Sequence, residues 1–302
     1  MPDLINKFFN KKKYYENKID RKNKIKKLNY LEIIKPRLKL ISENINKKNT
    51  ISFLHSGHLG DIINSLPLIK EISKSKECNL YIQYNKKIIN NLDQKHPFGN
   101  FYLSEYAAIK IIPLLKKQKY LKKVSIYDQT PIDIDLDFFR DLGLNFNIDS
   151  IRWYFHLAAT HCDLTKPYVF VNEHKDINNK IVILRSMRRQ NKLINYNFLN
   201  DYKDLLFIGL KDEYISLKKE LPLLKYYDPN DFLELAEIIK SCKLFIGNLS
   251  FGYALAEAIK VPRLLESQPD FPLVYPNGKN AYDFYFQEHF EHLFKKLILK
   301  LN

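Results

Sequence analysis

Ile51-Ser-Phe-Leu-His55-Ser-Gly-His-Leu-Gly-Asp61-Ile-Ile-Asn-Ser-Leu-Pro67 is the stretch on which the reading of this chain turns. Its first five residues have the apolar pattern of a short buried strand. From Asp61 to Ser75, Ile62, Ile63, Leu66, Leu68, Ile69 and Ile72 recur at helical spacing. Gly57 and Gly60 lie between the two and permit close backbone approach. In parallel sheets, ligands bind where a strand's carboxyl end meets the next helix, so this junction is the first place to look for function.

The same alternation extends outward on both sides. Asn79–Tyr84 and Val124–Tyr127 read as strands, Ala107–Leu115 carries helical spacing, and a helix around Asp149–Ala159 precedes Lys166-Pro167, a domain boundary. A second series follows. Lys180–Arg185, Leu205–Gly209, Leu224–Asp228, Leu244–Asn248 and Val261–Leu265 read as strands; Asp212–Glu220, a segment starting at Pro229-Asn-Asp231, and Ser250–Lys260 read as helices. Tyr285–Leu301 reads as a closing helix. Two βα series of short apolar strands predict an α/β chain with two parallel sheets, each covered on both faces. The expected units are residues 1–50, 51–165 and 166–302, the last helix packing back on the first sheet's domain.

Composition narrows the class. The chain has 302 residues, 45% hydrophobic, with 49 Lys+Arg against 34 Asp+Glu and a formal charge of +15. That is too apolar for a disordered chain. No run reaches the roughly 20 apolar residues of a membrane span, and the first residues lack the pattern of a secretory signal. The three cysteines, Cys78, Cys162 and Cys242, are sparse and odd in number, as expected of reduced thiols in a cytoplasmic protein. Residues 1–50 hold 15 Lys/Arg and only 5 Asp/Glu, so most of the excess charge belongs to this arm. Lys, Asn and Ile are abundant throughout, and that bias is one explanation of the arm. The other is peripheral contact with an anionic membrane at its inner face, since basic segments gain about 1 kcal/mol per Lys/Arg there. No base-reading module is present, so nucleic acid is not an expected partner.

Three strand ends carry unusual residues. At the first, Asp61 would either cap the helix or accept a proton from a substrate hydroxyl. His55 and His58 would add hydrogen bonds; with one Asp and no fourth ligand they make a poor zinc set. At the second, Arg185-Ser186-Met-Arg188-Arg189-Gln-Asn191 places three guanidinium groups after a buried strand, suited to phosphate oxygens or to internal ion pairs. At the third, Gly247-Asn248-Leu-Ser250-Phe251-Gly252 leads into an Ala-rich helix whose free N–H groups suit an anion, unless it is an ordinary capped helix. Together the second and third would cradle a diphosphate without a metal. Asp133, Asp135 and Asp137 alternate with Ile and Leu. They read either as a divalent-cation motif or as a half-exposed strand or helix entry.

These residues resemble the ADP-heptose:lipopolysaccharide heptosyltransferase-like glycosyltransferases (family nine) over about residues 51–300. Leu59-Gly60-Asp61 with Leu66-Pro67 matches that family's N-terminal Gly-Asp…Pro motif. Gly247-Asn248-Leu-Ser250 through Ala256-Glu257-Ala258 to Val261-Pro262 resembles its Gly-x-Asp-x-Gly-x-x-His-x-x-Ala-Ala segment. Here Asn or Leu replaces the acidic residue and Ala254 the histidine. Phe207-Ile-Gly209 with Glu213 is similar to its Gly-x-x-x-Glu segment, and Glu266 lies where such folds hold a ribose. The resemblance implies a GT-B fold: two Rossmann-like domains facing a central cleft, here with a basic N-terminal helical extension.

The resemblance further implies inverting, metal-independent transfer of a hexose or heptose. The donor would be a nucleotide-diphosphate sugar and the acceptor a glycan or lipid-linked molecule, in lipopolysaccharide or surface-glycan synthesis. Asp61 would be the general base. His55, Gly57, His58, Gly60, Arg185, Ser186, Arg188, Arg189, Asn191, Gly209, Glu213, Asn248, Ser250, Phe251 and Glu266 would line the substrates. No cofactor is expected. A nucleotide-sugar epimerase or hydrolase of the same fold, and a non-catalytic nucleotide-sugar-binding protein, are the competing readings.

Overall fold

A computed structural model of the chain describes residues 10–88, 99–142, 149–268 and 274–301. The arm is helical: α1 (Lys11–Asn29), a π-helical stretch (Tyr30–Ile34) and α2 (Lys35–Lys47). Pro36 has no N–H to give the carbonyl four residues back, and the ladder widens there, Lys35 N–H reaching Tyr30 O. α1 has no buried residue. α2 does belong to the body: Ile41 is buried, Arg37 lies over the Phe138 ring at 5.4 Å, and Asn44 Nδ2 donates to Asp133 O at 3.1 Å.

The first half holds β1 (Thr50–His55), α3 (Leu59–Ile72), β2 (Glu77–Ile82), α4 (Glu105–Lys116), β3 (Lys123–Ile126), β4 (Ile134–Asp135) and α5 (Ser150–Ala158). Its sheet has the order β3-β2-β1-β4, all parallel, with Phe53 opposite both Leu80 and Ile134. Ile51, Phe53 and His55 are fully buried, one per pleat, the period-two pattern of a strand with a packed face.

The second half holds β5 (Ile181–Leu184), β6 (Leu205–Ile208), α6 (Lys211–Lys218), β7 (Lys225–Tyr227), α7 (Phe232–Lys240), β8 (Leu244–Asn248), α8 (Phe251–Ile259), β9 (Arg263–Glu266), β10 (Ala281–Phe284) and α9 (Gln287–Leu301). Its sheet runs β10-β9-β8-β5-β6-β7, again all parallel. Every residue of β5, β6, β8 and β9 is buried, as expected of strands covered on both faces.

One hydrophobic cluster joins the halves. α3 meets α8 and α4 meets α7, with Leu66, Ala108, Leu235 and Tyr253 in the shared core. A second cluster covers the other face of the larger sheet, where α9 presses Phe290 and Phe294 onto Tyr196 and Phe284. The expectation that the last helix packs back on the first half is therefore corrected: its apolar face is used up beside β10. Among the described residues no helix is long and apolar enough to cross a membrane.

Candidate functional site

Asp61 lies in the first turn of α3, whose N-cap position is His58, so it is not the capping residue. Its Oδ2 stands 2.7 Å from Nη2 of Arg140, which lies just after β4 in a 3-10 turn (Phe138–Leu142). Nε of the same guanidinium donates to Asp137 Oδ1 at 2.8 Å. Asp137 is buried; its Oδ2 accepts from Ser56 N–H and faces His55 Nδ1 at 3.0 Å. His55 Nε2 is 3.1 Å from the Tyr154 hydroxyl on α5, on which the Arg140 charge also acts. Gly57 makes room for this cluster, because a Cβ there would stand 2.7 Å from Asp137 Oδ1 and 3.1 Å from Arg140 Nη2.

The electrostatics follow from burial and pairing. Burial opposes charge on Asp137, but His55 and Arg140 outweigh it and hold the carboxyl well below its usual range. Burial works against Arg140 as well, and the two carboxylates raise its pKa well above the ordinary value. Burial, then Asp61 and Asp137, keep the Tyr154 phenol protonated. Burial lowers the His58 pKa, with Arg140 and Arg188 adding to it against the pull of Asp61, and its Nδ1 donates to Tyr102 O at 2.8 Å.

The influence of Arg188 on His58 crosses from one half to the other. The two halves meet at this point. A Cβ on Gly60 would lie 3.9 Å from Ala254 Cβ, one turn along α8 from Ser250. So the stretches around 61, 188 and 250 converge at the carboxyl ends of both sheets.

Within the second half the expected residues divide. Arg188 is exposed and makes no side-chain hydrogen bond or ion pair with another described residue; burial lowers its pKa, and Glu213 acts against that. Arg189 is pushed down to about 10 by burial and by Arg188. Asn248 ties the loop down, its Oδ1 accepting from Ser186 N at 2.9 Å and its Nδ2 donating to Ser186 O at 2.7 Å. Glu213 accepts from Met187 N at 3.2 Å, and burial raises its pKa. Gly209 O accepts from the Tyr226 hydroxyl. Ser250 is the N-cap of α8, and Phe251 packs edge-on against Phe232. At Gly252 a Cβ would meet Leu184 Cδ1 at 2.4 Å, so only glycine lets α8 sit this close to β5.

Arg185 and Glu266 are placed differently from the expectation. Arg185 Nε donates to Glu266 Oε2 at 2.7 Å, and Nη2 donates to Glu266 Oε1 and to Ile194 O. Glu266 also accepts from Asn191 N and the Tyr196 hydroxyl. Asn191 Nδ2 donates to Tyr285 O at 2.8 Å. Internal pairing, the alternative reading of Arg185, is what the fold uses. Arg185, Asn191 and Glu266 satisfy one another behind the site instead of facing a phosphate or a ribose.

The three alternating carboxylates also separate. Asp133 pairs with Lys48 and accepts from Ser52 N, Asp135 accepts from Asp137 N, and Asp137 faces His55. Among the described residues no group of three or more His, Cys, Asp or Glu could hold a metal ion. A basin of about 640 Å³ lined by Lys70, Lys74, Lys117, Lys119, Tyr120 and Phe170 lies toward the far end of α3, away from Asp61.

Arg140 and Tyr154 were not singled out from the sequence. Arg140 follows Asp137 by three residues, a pairing distance that offered a signal. Tyr154 lies in an apolar helical stripe, where nothing separates it from core.

Two parallel α/β sheets meeting at their strand ends make this a GT-B fold. No family model matches the chain, and no curated protein matches it in sequence. Solved structures do match in fold. A glycosyl transferase family 9 protein from Veillonella parvula superposes with a TM-score of 0.56 at 11% identity, over 83% of this chain and 89% of that one. The Escherichia coli heptosyltransferase WaaC with ADP gives 0.56 at 10% identity, over 82% and 99%. The glycosyltransferase TibC from enterotoxigenic E. coli gives 0.51 at 14% identity, over 78% and 64%.

Proposed function

We propose that this chain is a glycosyltransferase that moves a hexose or heptose from a nucleotide-diphosphate sugar to a hydroxyl of a glycan or lipid-linked acceptor. The observation that carries the reading is the position of Asp61: an oriented carboxylate where α3 of one half meets α8 of the other, three residues from His58, which feels the charge of the exposed Arg188. The GT-B fold shared with glycosyltransferases supports it.

In this reading Asp61 takes the acceptor's proton as its oxygen attacks the anomeric carbon from the face opposite the diphosphate. The bond from that carbon to the diphosphate oxygen breaks, and the nucleoside diphosphate leaves with the electron pair, so the configuration inverts. Arg188, Arg189 and the backbone N–H groups opening α8 meet the growing negative charge, the work a divalent cation does in other transferases. Ser186, Asn248 and Glu213 hold the arginine loop in place, and His58, Gly57 and Gly60 line the acceptor side. The basic arm brings the protein to an anionic bilayer: α1 carries lysines all round, with Tyr15, Ile19, Ile25 and Leu28 exposed among them.

Thermal-shift measurements against ADP, UDP, GDP, CDP and their sugars test the donor class, because a ligand of the native state raises its melting temperature. Transfer is then assayed with Asp61→Ala. Wild-type transfer by that variant removes the base assignment, and sugar release that needs no acceptor points to a hydrolase.

A further inference from the structure

We infer that Arg140, Tyr154, His55 and Asp137 form a buried ring of polar side chains that aims Asp61, which makes all four positioning residues. The inference rests on the reading of Asp61 as the base. One assignment of donors and acceptors fits the ring. Arg140 has only N–H donors; it gives one to Asp137 Oδ1, pairs with Asp61 Oδ2 and sets its positive charge beside the Tyr154 oxygen. The Tyr154 hydroxyl then turns its proton toward His55 Nε2, 3.1 Å away. The imidazole proton then sits on Nδ1, 3.0 Å from Asp137 Oδ2. Asp137 closes the ring through its other oxygen.

The opposite tautomer fits worse. It would let Gly57 N–H, also 3.0 Å from Nδ1, donate to a bare nitrogen, but would set that lone pair against the Asp137 carboxylate.

The ring sets the Asp137 carboxylate against the Arg140 guanidinium in the buried part, where unpaired charge is costly. Asp61 is part-exposed at the junction of the halves. Because the other three side chains of the ring fix the guanidinium, and the guanidinium holds Oδ2, Oδ1 is the atom set to receive the acceptor's proton. What the guanidinium supplies to Asp61 is orientation. A lysine cannot reproduce this, since a single ammonium group does not span Asp61, Asp137 and Tyr154 in a planar fork.

The test uses full-length protein and follows acceptor-dependent nucleotide release from a panel of ADP-, UDP-, GDP- and CDP-sugars, with oligosaccharide and lipid-linked oligosaccharide acceptors present and melting temperature and ADP affinity measured alongside. Tyr154→Phe keeps the ring's volume; it is expected to lower kcat about 10- to 100-fold with donor KM unchanged. Arg140→Ala is expected to lose turnover and to regain part of it with millimolar guanidinium, and Arg140→Lys to fall between. Tyr154→Phe with wild-type kcat overturns the ring. So does an Arg140→Ala protein with wild-type melting and ADP affinity that guanidinium does not restore. Asp61→Asn separates the two claims: its inactivity beside wild-type ring variants removes only the ring. Wild-type turnover by Asp61→Asn, or no release from any donor by the unaltered chain, removes both.

Discussion

Arg185 and Glu266, 81 residues apart, grip each other through two hydrogen bonds of 2.7 and 3.1 Å inside the larger sheet. Their strands are both neighbours of β8, so the pair bolts together the carboxyl ends of β5 and β9. Burial opposes the charge on Arg185, and Tyr196 and Glu266 outweigh it, raising its pKa above the ordinary value.

Glu266→Ala should destabilise the fold by about 3–5 kcal/mol, because it leaves a buried guanidinium without its anion. Arg185→Leu/Glu266→Leu together should cost much less. Urea unfolding of the two proteins makes the comparison, and equal losses would contradict the pairing argument.

Arg188→Ala should leave the melting temperature unchanged, since the side chain is exposed and makes no ion pair with a described residue. Its affinity for a nucleoside diphosphate should fall about 10- to 100-fold, the worth of one or two charge-assisted hydrogen bonds. Calorimetry with ADP and UDP reads this directly, and unchanged binding removes Arg188 from the diphosphate site.

Asp149, the N-cap of α5, is pushed up to about 6 by burial, with its bond from Ile151 N–H acting against that and Glu257 adding to it. A raised carboxyl pKa means that the folded state holds the proton more tightly than the unfolded chain. Its favourable contribution is complete below about pH 4 and is lost as pH rises through about 6. Asp149→Asn keeps a capping oxygen and drops the charge, so it should be more stable than the parent at pH 7.5 by on the order of 1–3 kcal/mol, and equal to it near pH 4. Melting curves at the two pH values settle the sign.

Gly57→Ala should cost about 1–3 kcal/mol, the usual range for overpacking. Asp137, His55 and Arg140, which a Cβ there would meet, are held by one another and cannot step aside. A variant with parental melting would show that the cluster is looser than its hydrogen bonds imply.

The two parallel sheets were legible because β5, β6 and β8 are apolar runs too short for helices, each followed by turn residues. β4 lies in the Asp133–Asp137 alternation, one reading of which is a half-exposed strand. β10, Ala281-Tyr-Asp-Phe284, was not legible, because it mixes exposed and buried positions without an apolar run. At the site, Asp61 was legible from its glycine-flanked junction. Whether Arg185 faced a ligand or a glutamate was not, because its partner lies four strands further along the chain. Tyr154 was hidden for the same reason: its hydroxyl matters only through His55, 99 residues earlier.

The approach of Gly60 to Ala254 sets a mechanical limit. With no side chain on one helix start and a single methyl on the other, nothing bulky props the two halves apart where they touch. A label on Asp61 of one half and one on Arg188 of the other would therefore report any change in how closely these two helices pack.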